Sequence, residues 1–196
     1  MKKKILIIAG GFSKEREISL KTAKGVFNAI KKKYITKICE PNGELIKNLR
    51  SFKPNLVFNA LHGRYGEDGY VQSILELENI KYTHSGVLSS SIAIDKELSK
   101  KIFKEEKIIT PKYFKYKFNK SEKKYFLINK IKKKIGFPVV IKPFNEGSSV
   151  EVYICNEKNI ITKLNKLSPY KEIMIEKYIP GREIQVAIMG KKKLGA

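Results

Sequence analysis

Lys4-Ile5-Leu6-Ile7-Ile8-Ala9-Gly10-Gly11 is the stretch on which the reading of the fold turns. Its apolar core is unbroken. A strand with one wet face alternates apolar and polar residues, whereas an unbroken Ile/Leu run marks a strand buried on both faces, as in a parallel sheet. Behind Lys2, Lys3 and Lys4 the run also mimics the start of a signal peptide. It stops at Gly10-Gly11, short of the ~7–15 apolar residues of a signal's core. It therefore reads as a strand, and the protein as cytoplasmic.

Outward from that strand, Ser19 precedes Leu20, Ala23, Val26, Phe27 and Ile30, the spacing of one helical face, with Ser19 placed as the N-cap. Strands are predicted at 34–39, 55–60 and 80–83, and helices at 45–52 and 70–77. This βαβαβαβ order implies a doubly wound parallel sheet, with ligands bound beyond the carboxyl ends of the strands. The loops 10–19 and 61–69 both follow strands and lie at that edge. From about residue 95 the pattern changes. Basic helices are predicted at 95–107 and 123–135, and strands at 112–118, 139–141, 150–154, 173–178 and 183–189, with a further helix at 160–167. That mixture reads as an α+β second domain. The domains are set at 1–94 and 95–196.

Composition narrows the class. Hydrophobic residues make up 42% of the 196, which excludes wholesale disorder. No apolar run approaches the ~18 residues of a membrane span. Cys39 and Cys155 are far apart, without CxxC spacing, and read as free thiols. The formal net charge is +22, from 41 basic and 19 acidic residues. A nucleic-acid partner is the first idea such a charge raises. Only four of the basic residues are arginine, the side chain suited to forked phosphate and base contacts. The lysines also interleave with Ile, Leu and Phe as surface positions do. Neither a nucleic-acid nor a membrane partner is expected.

Four clusters combine glycine with polar chemistry. In Gly10-Gly11-Phe12-Ser13-Lys14-Glu15-Arg16-Glu17-Ile18-Ser19, glycines permit close backbone approach and a helix N-terminus follows. Its glutamates either bind an ammonium group or complement the helix dipole. Asn59-Ala60-Leu61-His62-Gly63-Arg64-Tyr65-Gly66-Glu67-Asp68-Gly69 packs a histidine, an arginine, two acids and three glycines behind a buried strand. Lys142 ends an apolar strand, where a lysine is costly without an anion. The loop Asn145-Glu146-Gly147-Ser148-Ser149 that follows could fold over phosphates, although Walker A spacing is absent. Ile175-Glu176-Lys177-Tyr178-Ile179 with Gly181-Arg182-Glu183 is either a purine and ribose edge or a charged edge strand.

Together the clusters resemble the D-alanine–D-alanine ligases of the ATP-grasp superfamily, from Ile5 to about Leu194. The specific pieces are Gly10-Gly11 through Ser19, Ala60-Leu61-His62-Gly63, Gly66-Glu67-Asp68-Gly69, Ser85-Gly86-Val87, Asp95-Lys96, Lys142-Pro143, Glu146-Gly147-Ser148-Ser149-Val150 and Ile175-Glu176-Lys177. The resemblance implies a substrate-binding α/β domain followed by the central ATP-grasp subdomain. It implies joining of two D-alanines through an acyl phosphate, for peptidoglycan precursors. By resemblance Glu15 and Ser148 are catalytic, and Glu15, Ser19, His62 and Ser148 bind D-alanine. Lys96, Lys142, Glu146, Gly147, Ser149, Glu176, Lys177, Tyr178, Ile179 and Glu183 bind ATP. The resemblance also implies a homodimer, and Mg²⁺ or Mn²⁺ held by carboxylates in a C-terminal segment beyond these residues. By that reading the chain is the truncated N-terminal portion of a ligase and is inactive alone.

Two departures stand out. The family's loop continues Ser-Ser-Val-Gly, but Glu151 follows Val150 here. The family also runs on for roughly a hundred residues more. The alternative functions are a related D-alanine–D-lactate ligase and a non-catalytic remnant binding nucleotides or polyanions.

Overall fold

The computed structural model describes residues 2–119, 124–144 and 151–195. Contacts divide the chain into two compact units, Met1–Thr110 with Lys142–Val152, and Pro111–Ile141 with Tyr153–Ala196. The sequence boundary at 94/95 lies before that division.

In the first unit β1 (Lys4–Ile8) is the middle strand of three. It pairs in parallel with β2 (Ile35–Cys39) on one side and β3 (Leu56–Asn59) on the other. The unbroken apolar run is explained by its neighbours. Leu6 and Ile8 face one core cluster, beneath α2 (Leu45–Phe52) and α3 (Tyr70–Leu77), and Ile7 and Ala9 face another, beneath α1 (Arg16–Ile30). The predicted stripe Leu20, Ala23, Val26, Phe27 and Ile30 packs in that second cluster.

Three local readings change. Helix α1 starts at Arg16, so Ser19 is not its N-cap but a buried residue of the helix. The strand expected at 80–83 reduces to one parallel bridge, Val57 with Tyr82. His84, at a positive φ of 77°, turns the chain away before the pairing can lengthen. A helix not predicted, α4 (Val87–Ile94), precedes α5 (Lys96–Glu105). The two are separated at Asp95, whose extended backbone breaks the spiral and whose carboxylate caps α5 by accepting from Glu97 and Leu98 N–H.

The second unit is built on a four-stranded sheet in the order β4-β7-β5-β6. Its strands are β4 (Tyr113–Lys117), β5 (Val139–Pro143), β6 (Tyr153–Cys155) and β7 (Glu172–Lys177). β4 runs antiparallel to β7, and β6 antiparallel to β5. One core joins Val139, Ile141, Ile173 and Ile175 to Leu127 and Ile131 of α6 (Lys124–Lys134) and to Ile160, Leu164 and Leu167 of α7 (Ile160–Leu167). The strand expected over 183–189 shortens to β8 (Ala187–Met189), which forms an exposed hairpin with β9 (Lys192–Gly195). The lysines behave as surface groups. Lys130 and Lys134 lie over the Phe114 ring, Lys163 and Lys166 over Tyr153, and Lys132 pairs with Glu157. Among the described residues no helix is long and apolar enough to cross a membrane.

Truncation of a side chain wholly inside one of these cores leaves a cavity. Leu127→Ala is expected to lower unfolding free energy by about 2–5 kcal/mol, read from urea titration. The thiols supply a pH test. Burial pushes Cys39 and Cys155 from an ordinary 9 up to about 11. Between those values the folded chain keeps protons that the unfolded chain releases, so stability falls as pH rises through the window. The urea midpoint should drop between about pH 9 and about pH 11, by less in a Cys39→Ala/Cys155→Ala variant.

Candidate functional site

The first unit assembles its polar residues where β1 and β3 end. The chain leaves β1 through Gly10, at a φ of 84° that a side chain disfavours. A Cβ there would also fall 2.9 Å from the Glu40 carboxyl. Glu40 pairs with Arg16 at the start of α1. Inside α1, Ser19 Oγ accepts from Gly10 N–H at 2.8 Å and donates to Ala60 C=O at 2.7 Å. One buried hydroxyl thus ties the ends of two strands to the helix above them. Ser19, expected to bind substrate, is fully buried and commits its hydroxyl to the backbone.

The loop after β3 is fixed in the same way. Asn59 Nδ2 and Gln72 Nε2 both donate to the Gly66 carbonyl at 2.7 Å, and Asn59 Oδ1 accepts from Leu61 N–H. Gly66 has no room for a side chain, since a Cβ would lie 2.1 Å from that of Leu61. The fold so places His62 and Gly63 against the segment before α1. Ser13 Oγ donates to His62 C=O at 2.8 Å and accepts from Glu15 N–H at 3.2 Å.

Glu15 is only 3% exposed. Its Oε2 lies against Gly63, where a Cβ would approach it to 2.8 Å. Its Oε1 has no hydrogen-bond partner among the described residues. Leaving a buried carboxylate oxygen unsatisfied is expensive, and a bound cation or donor removes that cost. Of the two roles open for Glu15, dipole partner or ammonium ligand, this environment favours the second. Beside His62, Thr22, Glu67, Gln72 and His84 help line a cavity of about 350 Å³. Thr22 and Gln72 escaped the sequence reading. A lone polar residue beside Ala23, or within the apolar helix 70–77, was the available signal.

Lys96, the first residue of α5, donates from Nζ to Phe144 C=O at 2.9 Å, two residues beyond Lys142. Lys142 alternates along β5 with the buried residues Ile141 and Pro143. Glu146, Gly147, Ser148 and Ser149 lie outside the described residues. In the second unit Glu176 is buried near the end of β7, alternating with the core residues Ile173 and Ile175. Lys177 Nζ donates to Phe137 C=O and Tyr178 N–H to Pro138 C=O, so the chain leaving β7 stays beside the start of β5. Ile179 is exposed, and Glu183 sits in a stretch without regular structure. Among the described residues no three of His, Cys, Asp and Glu gather as a metal would need.

The α/β fold is similar to that of D-alanine–D-alanine ligases of known structure. It superimposes on a crystal structure of D-alanine–D-alanine ligase from Bacillus anthracis with a TM-score of 0.75 at 35% identity, over 91% of this chain and 58% of that one. A structure of the Bacillus anthracis enzyme complexed with ATP matches with a TM-score of 0.72 at 33% identity, over 91% and 60%. A D-alanine–D-alanine ligase of Pelagibacter ubique (strain HTCC1062) is 60% identical over 197 residues, covering 100% of this chain and 64% of the relative. The family model described as D-ala D-ala ligase C-terminus matches residues 102–196. The chain is similar along its whole length to D-alanine–D-alanine ligases, and residues 102–196 match the C-terminal model of that family. It spans less than two thirds of the length of these relatives.

Close packing at Gly66 makes a sharp test of the loop. Gly66→Ala should cost about 1–3 kcal/mol or more in urea unfolding. Gly43→Ala, where a Cβ meets nothing within 4 Å, should be near neutral.

Proposed function

We propose that this segment carries the D-alanine-binding side, and part of the ATP-binding side, of an enzyme that joins two D-alanines. The observation that carries the reading is the buried Glu15 carboxylate, its Oε1 unpartnered among the described residues and its Oε2 set against Gly63. An ammonium group of a small amino acid supplies both the charge and the donors that this oxygen lacks. In the reaction the carboxylate oxygen of the first D-alanine attacks the γ-phosphorus of ATP, and the bond to the ADP oxygen breaks. The amine of the second D-alanine then attacks the acyl carbon, loses a proton and expels phosphate.

Lys96 and Lys142 are suited to the triphosphate, because their ammonium groups neutralise negative charge that grows in transfer. Glu176, Lys177, Tyr178 and Ile179 are read as the adenine side and Glu183 as the ribose ligand. Ser148, with Glu146, Gly147 and Ser149, belongs to this reading through the family resemblance. Ser19 supports the site from beneath, through Gly10 and Ala60. Residues 1–94 are read as the substrate domain and 95–196 as part of the ATP-grasp domain. A homodimer in the cytoplasm completes the reading.

Phosphate release from ATP, measured with and without D-alanine in the longer protein that carries this segment, tests the proposal. D-alanine should be required. Glu15→Gln should lower kcat/KM for D-alanine by roughly 10²-fold, the scale expected when one partner of a buried charge pair is lost. Release that ignores D-alanine, or an unaffected variant, would overturn the reading.

A further inference from the structure

His62 is held more completely than a loop histidine needs to be. Its main chain is gripped on both sides of the His62–Gly63 peptide. The carbonyl accepts from Ser13 Oγ at 2.8 Å, and the Gly63 N–H on the other side donates to Glu67 Oε2 at 2.8 Å. The freedom that remains is that of the ring. Thr22 Oγ1, on α1, lies 3.2 Å from ring Nε2.

A neutral imidazole has two tautomers, one nitrogen donating and the other accepting. A hydroxyl bonded to Nε2 opposes flipping of the ring, and because it can donate or accept it serves either tautomer. Ser13 and Thr22 come from the same β1–α1 segment that carries Glu15. The carbonyl and the ring of His62 are thus both registered to the chain that sets the carboxylate.

We propose that Thr22 is a positioning residue for His62, fixing the orientation of its ring through the contact at Nε2, with Ser13 holding the main chain. The relevance to catalysis rests on the ligase reading above. The ring constraint does not. Thr22 itself performs no chemistry and acts only through the imidazole.

The chain has two histidines, so ¹⁵N NMR of the ring nitrogens resolves His62 from His84, with His62→Gln as the assignment control. Thr22→Val, which keeps the shape and removes the hydroxyl, should move the His62 ring nitrogen shifts, since Nε2 loses its hydrogen-bond partner. Thr22→Ser should restore them, and His84 should not move. Unchanged His62 shifts in Thr22→Val, with urea midpoints matching the parent, would overturn the proposal. In the longer protein, Thr22→Val should raise KM for D-alanine several-fold while KM for ATP stays constant, and Thr22→Ser should rescue it. An equal rise in both KM values would also overturn it. A parent protein that does not respond to D-alanine would sink the ligase reading alone, and the NMR result would still decide the clamp.

Discussion

The first unit depends on the burial of residues 6–9 from both sides. Leu6, Ile7, Ile8 and Ala9 are wholly removed from water. Parallel pairing on each edge satisfies the backbone of β1, and the two helical layers cover its faces. A polar group there would have no partner and would cost a large share of a marginal stability. Because the strand is enclosed, its exit is constrained too. The chain must turn sharply at Gly10 to reach the surface, and that turn delivers Glu15 to the carboxyl edge of the sheet.

The site is built from that constraint by a few buried hydrogen bonds. Ser19 ties Gly10 to Ala60, and Asn59 and Gln72 converge on Gly66. Each bond is modest in net worth, but leaving any one of these buried groups unpaired costs more than the bond returns. The network therefore holds two loops, distant in sequence, to one arrangement. Within it Glu15 Oε1 and Gln72 Oε1 are left without partners among the described residues, and buried polar groups left unpaired tend to mark function.

The charge of +22 resolves into surface chemistry and a few placed groups. Lysines of α6 and α7 lie over aromatic rings, with their stems on apolar surface and their heads in solvent. Lys96 instead bonds a carbonyl just beyond β5. Composition could not separate these two kinds of lysine, because both look alike until the chain is folded around them.

Periodicity and local chemistry were enough for much of the architecture. The unbroken run at 4–9, the stripe on α1 and the apolar run at 139–141 each carry their own burial pattern, since hydrophobic spacing is a local property. The glycine clusters likewise pointed to the loops that hold Glu15 and His62. Helix α4 was not legible, because Leu-Ser-Ser-Ser-Ile-Ala presents no clean stripe, and the 80–83 strand was overread because pairing depends on where the neighbouring strand ends. Ser19 looked like a cap and proved to be a buried tie. Thr22 and Gln72 drew no notice at all. The partners of Ser19 and Thr22 lie 41 and 40 residues away, and a hydrogen bond to a distant carbonyl or ring exists only once packing has brought the two groups together.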